Sequence, residues 1–250
     1  MEKTETPAAG SKPSTGSGPI ASRVHLAGFL AIMAALTVVG FLAQHTATAG
    51  GAAPSGQLAG HSVAIRVYFV VILMDWALFY YCWAGVHRAG GNLQTLSAGR
   101  WTSGKDIAID LAIALPFWGL WEGAAFGVRA LLGPDSAKSV DSLLPQSLLE
   151  ILVWTATCIT AGFCEEIAFR GYLQRQFRAL GGNVALAVIG QGVVFGIAHS
   201  YQGWKSAIVI TVLGILYGAL FAWRGNLRAN MISHAWSDFW EGWLKFIVWR

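Results

Sequence analysis

Two adjacent carboxylates, Glu165 and Glu166, end a long run of apolar and small residues and precede Arg170. Two histidines follow in later apolar runs: His199, and His234 with Asp238 four residues on. Paired imidazoles and carboxylates held away from bulk water suit the activation of a water molecule. That chemistry needs a base, a group that orients it, and donors or a metal that hold a developing oxyanion. On a helix Glu165 and Glu166 point about 100° apart, whereas Arg170 at i+4 shares the face of Glu166. Glu166 and Arg170 are therefore expected to neutralise each other, leaving Glu165 as the carboxylate without a local counter-ion and the candidate general base. Phe195, at i−4 from His199, offers a wall for its ring. His234 and Asp238 project toward one neighbour, where an aspartate on one ring nitrogen fixes the tautomer at the other.

The elements that must position these residues follow from composition. Only 12% of the 250 residues are charged and 55% are hydrophobic, with a mean hydropathy of +0.52. A soluble chain carries about 25% charged residues, so this surface is expected to face hydrocarbon. Apolar stretches run over residues 24–43, 62–84, 105–132, 146 into the 170s, 183–199, 204–223 and 229–249. Each can cross about 30 Å of hydrocarbon as a helix or near it, which predicts an all-α, polytopic transmembrane bundle of about seven spans. The Pro-, Gly- and Ser-rich residues 1–23 read as a flexible tail and residues 24–250 as the helical domain. The first run also resembles a cleavable leader, with Ala47, Ala49 and Ala52 downstream, but it is long for one and its preceding tail is long and weakly basic.

The net charge of +4 comes from scattered Lys and Arg without a basic stripe, so no nucleic-acid partner is expected. With the N-terminus in the cytoplasm, only Arg129, Lys138, Lys205, Lys245 and Arg250 fall outside; every other Lys and Arg except Arg66 falls inside. This positive-inside bias predicts a multi-pass protein of the cell (inner) membrane with a cytoplasmic N-terminus. Cys82, Cys158 and Cys164 lie within apolar runs at no metal-binding spacing and read as buried hydrophobes. His25, His45, His61 and His87 carry no assigned role. Asp75, Asp106, Asp110 and Glu122 read as structural, the two middle ones hydrated near a span end and Asp75 within reach of Arg66.

The depth of the chemical residues agrees. If the helix carrying Glu166 runs on through Leu180 and turns at Gly181-Gly182, the paths back to Glu166 and forward to His199 are roughly 22 and 26 Å at 1.5 Å per residue. On antiparallel neighbours the two side chains come level. A charged group at the bilayer centre costs about 2.5–3.5 kcal/mol, so a cluster of them on the last spans marks a functional site. An ion-coupled transporter is one alternative, but its polar residues would be spread over two related halves.

The same residues resemble the CPBP intramembrane protease family, which includes the type 2 CAAX prenyl proteases and the ABI proteins. Its EExxxR motif is similar to Glu165-Glu166-Ile167-Ala168-Phe169-Arg170, its FxxxH motif to Phe195-Gly196-Ile197-Ala198-His199, and its HxxxN or HxxxD motif to His234-Ala235-Trp236-Ser237-Asp238. The resemblance implies an endopeptidase acting on a membrane-associated peptide or protein, with the lipid bilayer as its other partner. Glu165 and His199 would activate water, Glu166 and Arg170 would brace the site, and His234 with position 238 would stabilise the oxyanion or help bind a metal. A divalent ion such as zinc, with Glu165, His199, His234 and Asp238 as candidate ligands, and a metal-free mechanism are both compatible with this pattern. Asp238 stands where the prenyl proteases carry asparagine; an ionised aspartate only accepts hydrogen bonds and would repel an oxyanion, so it is protonated, a metal ligand or, as expected here, a partner that holds His234. A catalytically silent peptide-binding or immunity protein of the same fold is the other alternative.

Overall fold

The computed structural model describes residues 18–49, 57–97, 99, 101–133 and 143–248. The expected tail up to residue 17, most of the loop between residues 133 and 145, and Arg100, Trp249 and Arg250 lie outside the described residues. The described residues are helical and contain no strand. Helices α1 (Arg23–Ala49) and α2 (Gln57–Arg88) are followed by a short α3 (Leu93–Ser97) and α4 (Gly104–Leu132). Helix α5 (Leu148–Glu165) passes without a break into a π-helical stretch (Glu166–Gln174) and then α6 (Arg175–Gly181). Helix α7 (Val184–Ala198), a 3₁₀ turn (Ser200–Gln202), α8 (Trp204–Arg224) and α9 (Arg228–Val248) complete the chain.

Five of these segments are long and apolar enough to cross a membrane: Arg23–Leu42, Val63–Arg88, Gly104–Leu132, the 34-residue Leu148–Gly181, and Trp204–Arg224. The all-helical, polytopic expectation is therefore met. Helix α7 is apolar but has only 15 residues, and α9 is the most polar of the long helices, with Arg228, Asp238 and Glu241 along it. Those two complete the expected seven; their shortness and polarity go with their being the helices that carry His199 and His234.

Local signals set the helix ends. Ser147 and Glu150 form a reciprocal capping box at the start of α5, and Glu150 also accepts from the Gln146 amide at 2.6 Å. The turn expected after Leu180 is present: Gly182 closes α6 in the left-handed conformation, φ 67°, and the Asn183 side chain caps α7. The site helices then approach closely through glycine. A Cβ added at Gly162 of α5 would meet the Ala235 amide nitrogen at 2.8 Å and the Met231 carbonyl at 2.9 Å, both on α9. Because Gly162 lies one turn before Glu165 and Ala235 adjoins His234, this contact draws the two functional side chains together.

Two structural acids differ from expectation. Asp110 is not hydrated at a span end but fully buried, where it pairs with Arg224 at 2.9 Å and Arg228 at 2.8 Å and accepts from the Trp101 indole at 3.0 Å. This joins the start of α4 to the turn between α8 and α9, with a fully desolvated carboxylate matched by two guanidinium groups. Asp75 faces the site described below. Asp106 caps its own helix and Glu122 accepts from Trp118, as ordinary structural acids do.

Candidate active site

Glu166, the first residue of the π-helical stretch, has no solvent exposure and accepts hydrogen bonds from three directions. Arg170 Nη1 lies 2.9 Å from its Oε1, on its own helical stretch. From α9, His234 Nδ1 lies 2.9 Å from Oε1 and Asn230 Nδ2 lies 3.1 Å from Oε2. The expected Glu166–Arg170 pair is thus present and carries more than was expected of it. Arg170, itself fully buried, spends Nη2 on the Gly214 carbonyl of α8 at 3.3 Å and lies over the Phe195 ring at 4.5 Å. Asn230 reaches on to the Tyr217 carbonyl at 2.8 Å, and Tyr217 stacks on His234 with ring centroids 5.5 Å apart. The brace therefore ties the π-helical stretch, α7, α8 and α9 into one polar knot wrapped in aromatic rings.

This knot decides how His234 is presented. Its Nδ1 must carry the hydrogen, because the group it meets is a carboxylate oxygen, and Nε2 is left facing the site. His199 is held in the same way: Nδ1 donates to the Phe195 carbonyl at 2.8 Å, and the ring packs against Phe195 at 4.6 Å. Phe195 thus forms the expected wall and also supplies the acceptor that orients the ring. Both Nε2 atoms turn to Glu165, which lies 4.0 Å from His199 through Oε1 and 3.8 Å from His234 through Oε2. The depth arithmetic that placed the glutamates level with His199 is matched by this separation.

Asp238 Oδ2 stands 3.7 Å from His234 Nε2, on the site side of the ring. This corrects the expectation that Asp238 holds His234: the orienting nitrogen is occupied by Glu166, and Asp238 faces the reactive one. The cause is helix rotation. An i, i+4 pair shares a face, but which ring nitrogen meets which carboxylate depends on the neighbouring helix. The separations of 3.7, 3.8 and 4.0 Å exceed hydrogen-bond length, so these groups face one another without a direct hydrogen bond. Asp238 is also the most open of these groups, with its side chain 36% exposed against 14% for Glu165 and 5% for His234.

A zinc site needs nitrogen and oxygen donors at about 2.0–2.2 Å from one point. Among the described residues no group of three or more His, Cys, Asp or Glu side chains is arranged to hold one ion. Each histidine instead addresses a different oxygen of Glu165.

Three contributors escape sequence reasoning. Asn230 had a readable signal, an amide one turn before His234 on the same face. Tyr217 had none, since its role comes only from α8 packing on α9. Asp75, on α2, is buried, and Glu165, His234 and Asp238 act on it electrostatically.

Every site residue on α5, the π-helical stretch, α7 and α9 falls within residues 147–240, which match the family model described as type II CAAX prenyl endopeptidase Rce1-like. This segment is similar to the Rce1-like domain over those 94 residues. The match starts at Ser147, the cap of α5, and ends within α9, two residues after Asp238. Helices α1 to α4, with Asp75, lie outside the matched segment. No curated protein and no solved structure matches the chain. The likeness is thus to a protease-family model, in a chain with five helices long and apolar enough to cross a membrane among its described residues.

Proposed function

We propose that this protein is an intramembrane endopeptidase that hydrolyses a peptide bond in a membrane-associated peptide or protein, using water activated by Glu165 and His199. The observation that carries the reading is the shared presentation of the two imidazoles. Each is locked through Nδ1 to a carbonyl or carboxylate, and each turns Nε2 to the carboxylate of Glu165.

Water held between Glu165 and His199 Nε2 attacks the scissile carbonyl carbon, and its proton passes to Glu165. The carbonyl oxygen becomes an oxyanion opposite His234, which in its doubly protonated form presents an N–H at Nε2. Glu165 then returns the proton to the leaving nitrogen as the C–N bond breaks, so the carboxylate is regenerated. Glu166 and Arg170 hold His234 and never meet the substrate. Every proton is carried by protein groups, and chelation is the direct check on that feature. The orientation that fits the charge distribution is a cell (inner) membrane protein with a cytoplasmic N-terminus.

The reading is tested by comparing membrane-fraction proteomes of cells with active protein and cells with the Glu165→Ala variant. New peptide termini that appear only with active protein support it. Identical terminus profiles, with both proteins present at equal levels, overturn it.

Asp238 supplies a second check. An ionised carboxylate beside His234 Nε2 competes for the N–H that the oxyanion needs, whereas an amide can donate as well. Asp238→Asn is therefore expected to retain kcat/KM within about tenfold of the parent or to raise it. A loss beyond about 100-fold, the scale of a removed oxyanion donor, would assign the carboxylate itself an essential role.

A further inference from the structure

Asp75 is 7% exposed, and its Oδ2 is enclosed with no hydrogen-bond donor among the described residues. Packed rings fix its place: Trp76 and Phe79 of α2 lie tilted against Phe163 of α5 at 5.9 and 5.6 Å, two residues before Glu165. Glu165, His234 and Asp238 act on it electrostatically, and it acts in turn on Cys164 of α5 and Tyr201 of the 3₁₀ turn. Asp75 therefore belongs to the wall of the site, contributed by a helix outside the matched segment.

The balance of charge there is uneven. Glu166 is matched by Arg170, and Asp110 by Arg224 and Arg228. Glu165 and Asp238 have only histidines as ion-pair partners, and Asp75 has no ion pair among the described residues. Three carboxyl groups thus lie within electrostatic reach of one another with no guanidinium or ammonium ion-pair partner among the described residues. A buried acceptor without a donor is unfavourable, and in low-dielectric surroundings its attraction for a positive donor is strong. On the endopeptidase reading, the cation that could meet this acceptor is part of the substrate.

We propose that Asp75 is a substrate-binding residue that receives a cationic nitrogen beside the scissile bond, either a Lys or Arg side chain or a free amino terminus. This rests on the endopeptidase reading for its cleavage consequence, but not for the binding itself. Asp75 would thereby set specificity, while Glu165 and His199 carry out the hydrolysis.

The test uses the full-length protein in nanodiscs and one membrane-anchored peptide series. Its members carry Lys, norleucine or Glu at each position near the cleaved bond, with either a free or an acetylated amino terminus. The Lys peptide is expected to bind about tenfold or more tightly than the norleucine peptide at one position, as a charge-assisted hydrogen bond would give. Asp75→Asn should bring that ratio close to one, and Asp75→Glu should restore part of it. If the free and acetylated amino termini differ instead of the side chains, the cation is the terminus. Equal binding of Lys and norleucine peptides with either terminus overturns the proposal, as does a preference that survives in Asp75→Asn. Thermal unfolding of each variant identifies any that fails to fold, and the Glu substitution then carries the comparison. Because binding is read separately from cleavage, absence of cleavage with preserved Lys preference overturns the endopeptidase reading and leaves the cation site standing.

Discussion

Replacing Glu165 by alanine is expected to reduce cleavage of a membrane-peptide substrate by at least about 10²–10⁴-fold, the contribution of a positioned general base. His199→Ala is expected to cost a similar factor, and the double variant little more than either alone. On the proposed mechanism the two groups act on one water, so removing either would end the same step. The fold should tolerate these changes. Glu165 makes no contact shorter than 3.8 Å to its ion-pair partners, and His199 is bound by Phe195 within its own helix. Retention of parental kcat/KM by either single variant, measured in purified protein with unchanged thermal unfolding, would show that the catalytic pair is misassigned.

The opposite pattern is expected for Arg170→Ala, where the loss falls on the fold. Removing the guanidinium leaves Glu166 fully buried with its main counter-charge gone, a change that costs about 3–5 kcal/mol. A typical domain has about 5–15 kcal/mol in total, so the variant should unfold at markedly lower temperature or denaturant. Glu166→Ala alone also strips the partner from His234 and Asn230. In the double variant no uncompensated charge remains, and its loss should be smaller than the sum of the single losses. Additive losses in detergent unfolding would show that the pair is not coupled.

These two outcomes trace what sequence spacing can and cannot convey. Contacts within one helix were legible: Glu166 with Arg170, Phe195 with His199, and the level of the glutamates relative to His199 through the turn at Gly182. Contacts between helices were not, because spacing says which residues share a face and not which neighbour that face meets. Hence Glu166 rather than Asp238 took the His234 ring, and Asp110 found arginines 114 and 118 residues away. The passage from α5 into the π-helical stretch at Glu166 adds a further shift, since a wider turn rotates everything after it relative to an α-helical projection. Asp75 was missed for a plainer reason. A lone acid in an apolar run resembles any structural one until the helix beside it is known.

The three bonds that converge on Glu166 also bear on how such a protein can diverge. Glu165 is attached to little, so a lineage abandoning hydrolysis loses that residue cheaply and keeps a sound bundle around an idle cleft. Glu166 is under a different kind of selection, because its loss dismantles the packing of four helical segments whether or not anything is being cut. Descendants that have retired from catalysis are therefore expected to keep the second glutamate of the pair and its arginine while varying the first. In this architecture the adjacent acids record two histories, one of chemistry and one of folding.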